Sequence, residues 1–244
     1  MGNEGVAAVE KALALLDCFS LGHEKWNLAA LMKATGVHRT TVYRLMNSLE
    51  RMNYVIRSDD GEYTLGPRLL YLGKLYEVSF HLASIVEPVL RSLSTETGES
   101  ASYNVLEAGQ RLCLFRVEPA VGLRETRLPG TSLPLDNTSG SKVIRYWGLS
   151  EPLFESPPPL PLFTSRERDE YTSALSVPVF GENDRFKAAL TLSGPVARME
   201  SARADNRFDA AILQAASTLS RKLGASTTVC DHYFSGGNAR AAQG

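Results

Sequence analysis

The spacing of apolar positions changes along the chain, and each change predicts a different kind of element. Val9, Leu13, Leu16 and Phe19 recur at helical spacing with Glu10, Lys11 and Asp17 between them, which predicts an amphipathic helix. Leu28, Leu31 and Met32 follow Asn27, a good N-cap residue, and stop at Thr35-Gly36, so a second short helix is expected there. A third runs from about residue 38 to 53. Strand-prone runs at 54–58 and 62–65 then flank Asp59-Asp60-Gly61, and Asp-Gly between two such runs signals a hairpin. Gly66-Pro67 breaks the chain, and Pro67 suits the first turn of a further helix. That helix carries Leu69, Leu70, Leu72, Leu75 and Tyr76. So much apolar surface on a connector predicts packing against something, with a second copy of the chain as one candidate. A domain boundary is expected near Phe80.

The second half is mixed. A helix is expected over about 81–97, ending at Gly98, followed by strand-like runs at 102–106, 111–117, 173–180 and 186–193. A closing helix carries Phe208, Ile212, Ala216, Leu219 and Leu223. Helix, strands and helix in that order predict an α+β domain with helices on one face of a sheet. Pro157-Pro158-Pro159 marks a loop, and the small, polar stretch after Gly224 is expected to fray.

Hydrophobic residues at 43% and charged residues at 22% exclude a disordered chain. Three cysteines, Cys18, Cys113 and Cys230, are too few and too scattered for a disulfide framework or a metal knuckle. No metal or cofactor is expected. No run approaches the ~18 apolar residues of a membrane span, and acidic residues precede the first apolar run, so no secretory signal is expected. The cytoplasm is the default location. A net charge of −1 argues at first against a nucleic-acid partner.

Local charge reverses that argument. Between residues 33 and 57 lie Lys33, Arg39, Arg44, Arg51 and Arg57 against Glu50 alone, a surplus of four, and the remaining residues carry the offsetting −5. Attraction to phosphate decays within about 8–10 Å, so the local surplus counts for more than the sum. Two helices joined by a Gly-containing turn and followed by a hairpin form a winged helix-turn-helix pattern. On the third helix, Val42, Leu45, Met46 and Leu49 share one face. Thr40, Arg44, Asn47 and Arg51 lie opposite, with Tyr43 at the edge and Thr41 next to Thr40. Arg and Asn can contact base edges bidentately, and Thr can touch phosphate or a thymine methyl. Arg39 and Arg57 flank this face, the latter from the wing.

The runs at 8–16, 27–46 and 62–73 resemble the IclR family of bacterial transcription regulators. The likeness continues through ProValLeuArgSerLeuSerThrGluThrGlyGluSer, SerValProValPhe and LeuThrLeuSerGlyProValAlaArg. It implies a winged helix-turn-helix over 1–65, a dimerising linker helix over 66–80 and a GAF/PAS-like effector domain with an antiparallel sheet over 81–224, leaving a flexible tail at 225–244. It also implies a homodimer or homotetramer that binds a double-stranded DNA operator, often as a repressor released by a small organic acid. By the same resemblance, effector contacts fall on Ser139, Gly140, Ala174, Thr191 and Ser193.

Thr191 and Ser193 are two apart on a strand, so both hydroxyls point to one face, for ligand contacts or for hydrogen bonds within the sheet. The Gly-containing loop at 138–142 could turn backbone N–H groups to a carboxylate, especially if it opens a helix near Lys142. Three departures from the family pattern stand out: Ser141-Lys142 in place of Gly-Lys, Met32 in place of a small residue, and a short stretch from Lys142 to Val177. The last is expected to lack a helix and a strand lead-in near 163–165, so an acidic pocket residue near Thr164 is not assigned. Arg116, Arg124 and Arg127 could pair with an anionic effector, although surface or interface positions are favoured for most of them. Cys113 reads as a core thiol. Cys230-Asp231-His232 packs a nucleophile, an acid and a base into one tripeptide, but adjacent residues rarely converge on one reacting atom. No enzyme is expected; the competing reading is a small-molecule-processing enzyme that uses the winged helix as an interaction module.

Overall fold

The computed structural model describes residues 5–20, 22–79, 82–119 and 129–235. The chain divides into two compact units, Met1–Phe80 and His81–Gly244. The expected boundary at Phe80, the first residue of the helix expected from 81, and Arg124 and Arg127 all lie outside the described residues.

In the first unit, helices α1 (Ala7–Leu16), α2 (Leu28–Thr35) and α3 (Arg39–Arg51) precede the hairpin β1 (Val55–Arg57) and β2 (Tyr63–Leu65) and the helix α4 (Pro67–Ser79). The Asn27 side chain accepts from the Ala30 N–H at 2.9 Å, which satisfies an orphan donor at the start of α2. Gly36 ends α2 at φ 68°, a left-handed conformation in which a side chain is strained, and the chain turns there into α3. Leu15, Leu31, Val42, Met46, Val55 and Tyr63 close one small core. Met32 packs at its edge, so the larger side chain is accommodated. On α4, Leu69 and Leu72 are half-buried while Leu70, Tyr71 and Leu75 are exposed. The side chain of Tyr76 lies outside the described set.

The second unit is built on a six-stranded antiparallel sheet of order β5-β4-β3-β8-β7-β6. Its strands are β3 (Ser100–Glu107), β4 (Gln110–Val117), β5 (Ser132–Leu133), β6 (Leu162–Ser165), β7 (Thr172–Phe180) and β8 (Phe186–Pro195). Strand parity assigns the faces. Tyr103, Leu175, Val177, Leu190 and Leu192 pack against the helices α5 (Leu82–Thr97) and α8 (Asp209–Lys222) in the main core. The alternate residues Ser102, Asn104, Ala174, Thr191 and Ser193 face a cavity on the other side.

Three expectations are corrected here. The sheet is not helix-covered on one face only. A short helix α6 (Ser139–Val143) and a π-turn (Ile144–Gly148) pack on the cavity face, where Val143 and Ile144 bury Ala189. The stretch expected to lack a strand near 163–165 forms β6, which pairs with β7 from Leu162 opposite Ser176 to Ser165 opposite Ser173. Lastly, the segment after Gly224 does not simply fray. Past α7 (Val196–Ala204) and α8, the chain forms α9 (Thr227–Phe234). The Ser226 hydroxyl caps α9 at Val229 N–H and donates to Asp184 at 2.9 Å. Cys230 and Phe234 enter the main core, and Tyr233 stacks on Phe180 with centroids 4.9 Å apart. The polar composition of this segment hid those anchors; residues 236–244 lie outside the described set.

Candidate functional sites

On α3 the wheel separates as the spacing predicts. Val42 and Met46 are fully buried, and Leu45 and Leu49 pack against the same core. Arg39, Thr40, Tyr43, Arg44 and Arg51 are exposed, while Thr41 and Asn47 are half-buried. Arg57 projects from β1, its guanidinium 5.7 Å from the centre of the Tyr63 ring, within cation–π range. The core thus holds α3 by one stripe and leaves a cationic stripe with amide and hydroxyl groups facing water. That is the surface a helix presents to a DNA groove.

In the second unit, the cavity spans about 610 Å³ with the solvent at its open mouth included, of which about 40 Å³ is free interior space. Ala174, Thr191 and Ser193 line it. Ser139 and Gly140 do not; they form the layer behind it. Ser139 is fully buried and its N–H donates to the Thr164 hydroxyl at 2.9 Å, so this amide is not offered to a ligand. Residues 139–143 are themselves helical, which corrects the expectation of a helix opening near Lys142. Thr164, on the strand missing from the expected pattern, occupies that place as a hydroxyl on the cavity wall rather than an acid.

A chain of buried hydroxyls ties this wall together. The Ser139 and Ser176 hydroxyls lie 2.8 Å apart, and Ser176 and Thr191 2.9 Å apart. Asn104 donates to the Ser102 hydroxyl at 3.0 Å and reaches Thr191 Oγ1 at 3.5 Å. The Thr191 hydroxyl thus bonds to Ser176 within the sheet, and the residue also lines the cavity.

Sequence reasoning missed Arg111 and Asp136, and reached Thr138 only as part of the loop 138–142. The Arg111 side chain is almost fully buried and donates to Thr138 Oγ1 at 3.1 Å. Its second amino group lies 3.9 Å from the Asp136 carboxylate. Burial alone would raise the Asp136 pKa. Hydrogen bonds from the Thr138 hydroxyl, the Ser141 hydroxyl and the Thr138 N–H, together with the Arg111 charge, outweigh burial and hold the carboxyl below its ordinary value. The signal was present: an arginine alternating with Cys113 in an otherwise apolar strand must face a polar compartment. Cys113 is buried, but it faces the cavity rather than the helix-side core. Arg116 is not a surface residue. Its side chain is 4% exposed, lines the cavity and pairs with Glu118.

The tripeptide Cys230-Asp231-His232 makes no site. Cys230 is buried, burial pushes its thiol pKa up, and Asp231 pairs with Arg221 at 3.2 Å. Among the described residues, no group of three or more His, Cys, Asp or Glu could hold a metal, and no helix is long and apolar enough to cross a membrane.

Two family models match: the IclR helix-turn-helix domain over residues 8–59 and the bacterial transcriptional regulator IclR C-terminal domain over 163–221. The chain is an IclR-family DNA-binding transcriptional regulator. Across nearly its full length this IclR-family chain is similar to the regulator XynR of Escherichia coli, 24% identical over 90% of this chain and 98% of that one. Its fold is that of an IclR-type regulator from Silicibacter, with a TM-score of 0.76, 24% identity and coverage of 90% and 97%. A homologue from Microbacterium hydrocarbonoxydans, solved with 4-hydroxybenzoate, shares the fold at a TM-score of 0.70, 16% identity and coverage of 89% and 99%.

Proposed function

We propose that this regulator is a cytoplasmic repressor whose grip on an operator is controlled by a small organic acid bound in the sheet-side cavity. The carrying observation is the pairing, in one chain, of an exposed cationic face on α3 with a separate polar cavity that holds buried Arg111 and Arg116. An arginine fork matches a carboxylate in shape and charge. The 4-hydroxybenzoate complex of the Microbacterium homologue lends support to an acid of this size. Effector contacts are assigned to Thr191, Ser193 and Ala174 on the cavity wall, with Ser139 and Gly140 setting the wall's position.

DNA contacts are assigned to Arg39, Thr40, Thr41, Tyr43, Arg44, Asn47, Arg51 and Arg57. The linker helix α4 joins two copies through Leu70, Tyr71 and Leu75, whose exposure favours such a partner. A symmetric dimer then reads a pseudo-palindrome with half-sites about 34 Å apart or a multiple of that. The effector must favour one DNA-binding state over the other, or it shifts nothing.

The test is operator selection from genomic fragments with the purified chain, followed by titration of the selected duplex with and without benzoate. Benzoate weakens operator binding, and Arg44→Ala weakens it by about 1–3 kcal/mol if Arg44 reads a base. No salt-dependent duplex binding, or operator affinity indifferent to every acid tried, would refute the proposal.

A further inference from the structure

We infer that the wing tip is a negative determinant of DNA binding: the carboxylates of Asp59 and Asp60 keep the hairpin off the phosphate backbone, which holds down sequence-independent binding and leaves discrimination to α3. Charge along the first unit changes sign at the hairpin. Residues 33–57 carry the surplus of four, whereas the turn after Arg57 holds Asp59, Asp60 and Glu62 with no cation among them. Glu62 faces Lys25 at 3.7 Å, so its charge is largely balanced. Asp59 and Asp60 are exposed. The turn accounts for one of these acids and not for the other. Gly61 N–H donates to the Ser58 carbonyl at 2.9 Å, and Gly61 sits at φ 84°, so 58–61 is a tight turn that favours glycine at its last position. Asp60 accepts from the Ser58 hydroxyl and from Glu62 N–H at 3.2 Å. Those bonds hold its carboxyl below the ordinary value and keep it charged. Asp59 stands at the second position of the turn, which tolerates most residues, and its carboxylate takes no part in these bonds. The hairpin would close as well with lysine there, a residue that grips phosphate.

The tip lies within reach of a duplex seated on α3. Tyr54 N–H bonds to the Leu49 carbonyl at 2.9 Å, so the hairpin leaves directly from the end of that helix. The Tyr63 ring takes the Arg57 guanidinium at 5.7 Å, and Glu50 and Tyr43 of α3 lie near enough to act on its hydroxyl. The wing and the exposed edge of α3 therefore meet at this residue. Strands of three residues carry the tip about 10 Å further. A major groove is about 12 Å wide, so a phosphate strand flanks a helix within it at about that distance, and charges interact over about 8–10 Å. In a sequence-independent complex the protein is free to take the pose with the most phosphate contacts, and a basic tip would add to them. Base contacts by α3 fix the pose in a specific complex. Acids at the tip thus cost the first kind of complex more than the second.

The experiment is anisotropy titration of the full chain with a random-sequence duplex of about 30 bp across a salt series, set beside the operator duplex selected from genomic fragments. Asp60 is left in place because it closes the turn. Asp59→Asn binds the random duplex roughly two- to threefold more tightly and Asp59→Lys roughly tenfold, with a salt slope steeper by about one unit for each wing engaged. Operator affinity rises less, so the preference for operator over random duplex falls. Glu155→Lys makes the charge change of Asp59→Lys at an exposed residue of the second unit and measures what net charge alone does. Random-duplex affinity no higher in Asp59→Lys than in Glu155→Lys, or an equal gain on operator and random duplex, overturns the inference. Both titrations are run without effector, so neither outcome bears on acid sensing.

Discussion

Thr191→Val replaces one hydroxyl in the buried chain by a methyl of the same shape, and the structure sets what that costs. The hydroxyl contacts Ser176 Oγ at 2.9 Å and is approached by Asn104 Nδ2 at 3.5 Å. Neither neighbour is stranded by the change. Ser176 keeps Ser139 at 2.8 Å, and Asn104 keeps Ser102 at 3.0 Å and the Ala189 carbonyl at 3.4 Å. The full penalty of an orphaned polar group, about 1–3 kcal/mol, therefore does not apply. The loss is that of one neutral hydrogen bond, about 1 kcal/mol, or about 2–4 °C in melting temperature for a domain of this size. Trp26 and Trp147 are the chain's two tryptophans, one in each unit, so Trp26→Phe leaves Trp147 reporting on the second unit alone. Urea unfolding in that background measures the loss. Ser176→Ala removes two such bonds, to Ser139 and to Thr191, and costs about 2 kcal/mol, and the double variant costs less than the sum, because both changes remove the Ser176–Thr191 bond. A Thr191→Val chain as stable as its parent, or one that loses more than about 3 kcal/mol, would refute this account of the wall. Additivity in the double variant would refute the shared bond.

Two further predictions concern the cavity rim. Asp136 has a folded-state pKa held below its unfolded value, so its contribution to stability is present above the unfolded pKa and is lost as pH falls through the folded one. Urea midpoints measured from neutral pH down through the carboxylate range show this loss, and Asp136→Asn flattens that limb; an unchanged acid profile would count against the Arg111–Asp136–Thr138 cluster. At Gly140, an added Cβ would lie 3.0 Å from Arg111 Nη1 and 3.1 Å from Thr191 Oγ1. Alanine favours the helix over glycine by about 1 kcal/mol, while crowding costs about 1–3 kcal/mol, so stability shifts little in Gly140→Ala. Acid affinity, which depends on where Arg111 sits, falls several-fold by calorimetry; wild-type affinity in this variant would sink that dependence.

Periodicity alone located α3 and its faces, because Val42 and Met46 are four apart and a helix must bury that stripe whatever else the chain does. The cap at Asn27 and the turn at Gly36 were legible for the same reason: each is satisfied within a few residues of itself. The exposed residues of α3 follow from these local rules. The cavity does not. Arg111, Thr138 and Asp136 come together from a strand and a loop about 25 residues apart, and no spacing rule connects them. The short strand β6 has no periodic signal of its own and exists because β7 offers it an edge. Segment 227–234 carries as many polar residues as apolar ones and so gives little signal, yet packing of Val229, Cys230, Tyr233 and Phe234 on the main core orders it.

What the amino-acid order determined by itself is therefore the local part of the protein: the α3 stripe, the turn before it, the wing after it and the alternation of the main strands. Only the tertiary structure decided which way Arg116 points. Parity along β4 sends it away from Arg111, and the bulge at Leu114, formed in register with β3, brings it back. A strand's side-chain direction is a property of the residues; its register is a property of the pair, and the second cation of the cavity depends on the pair.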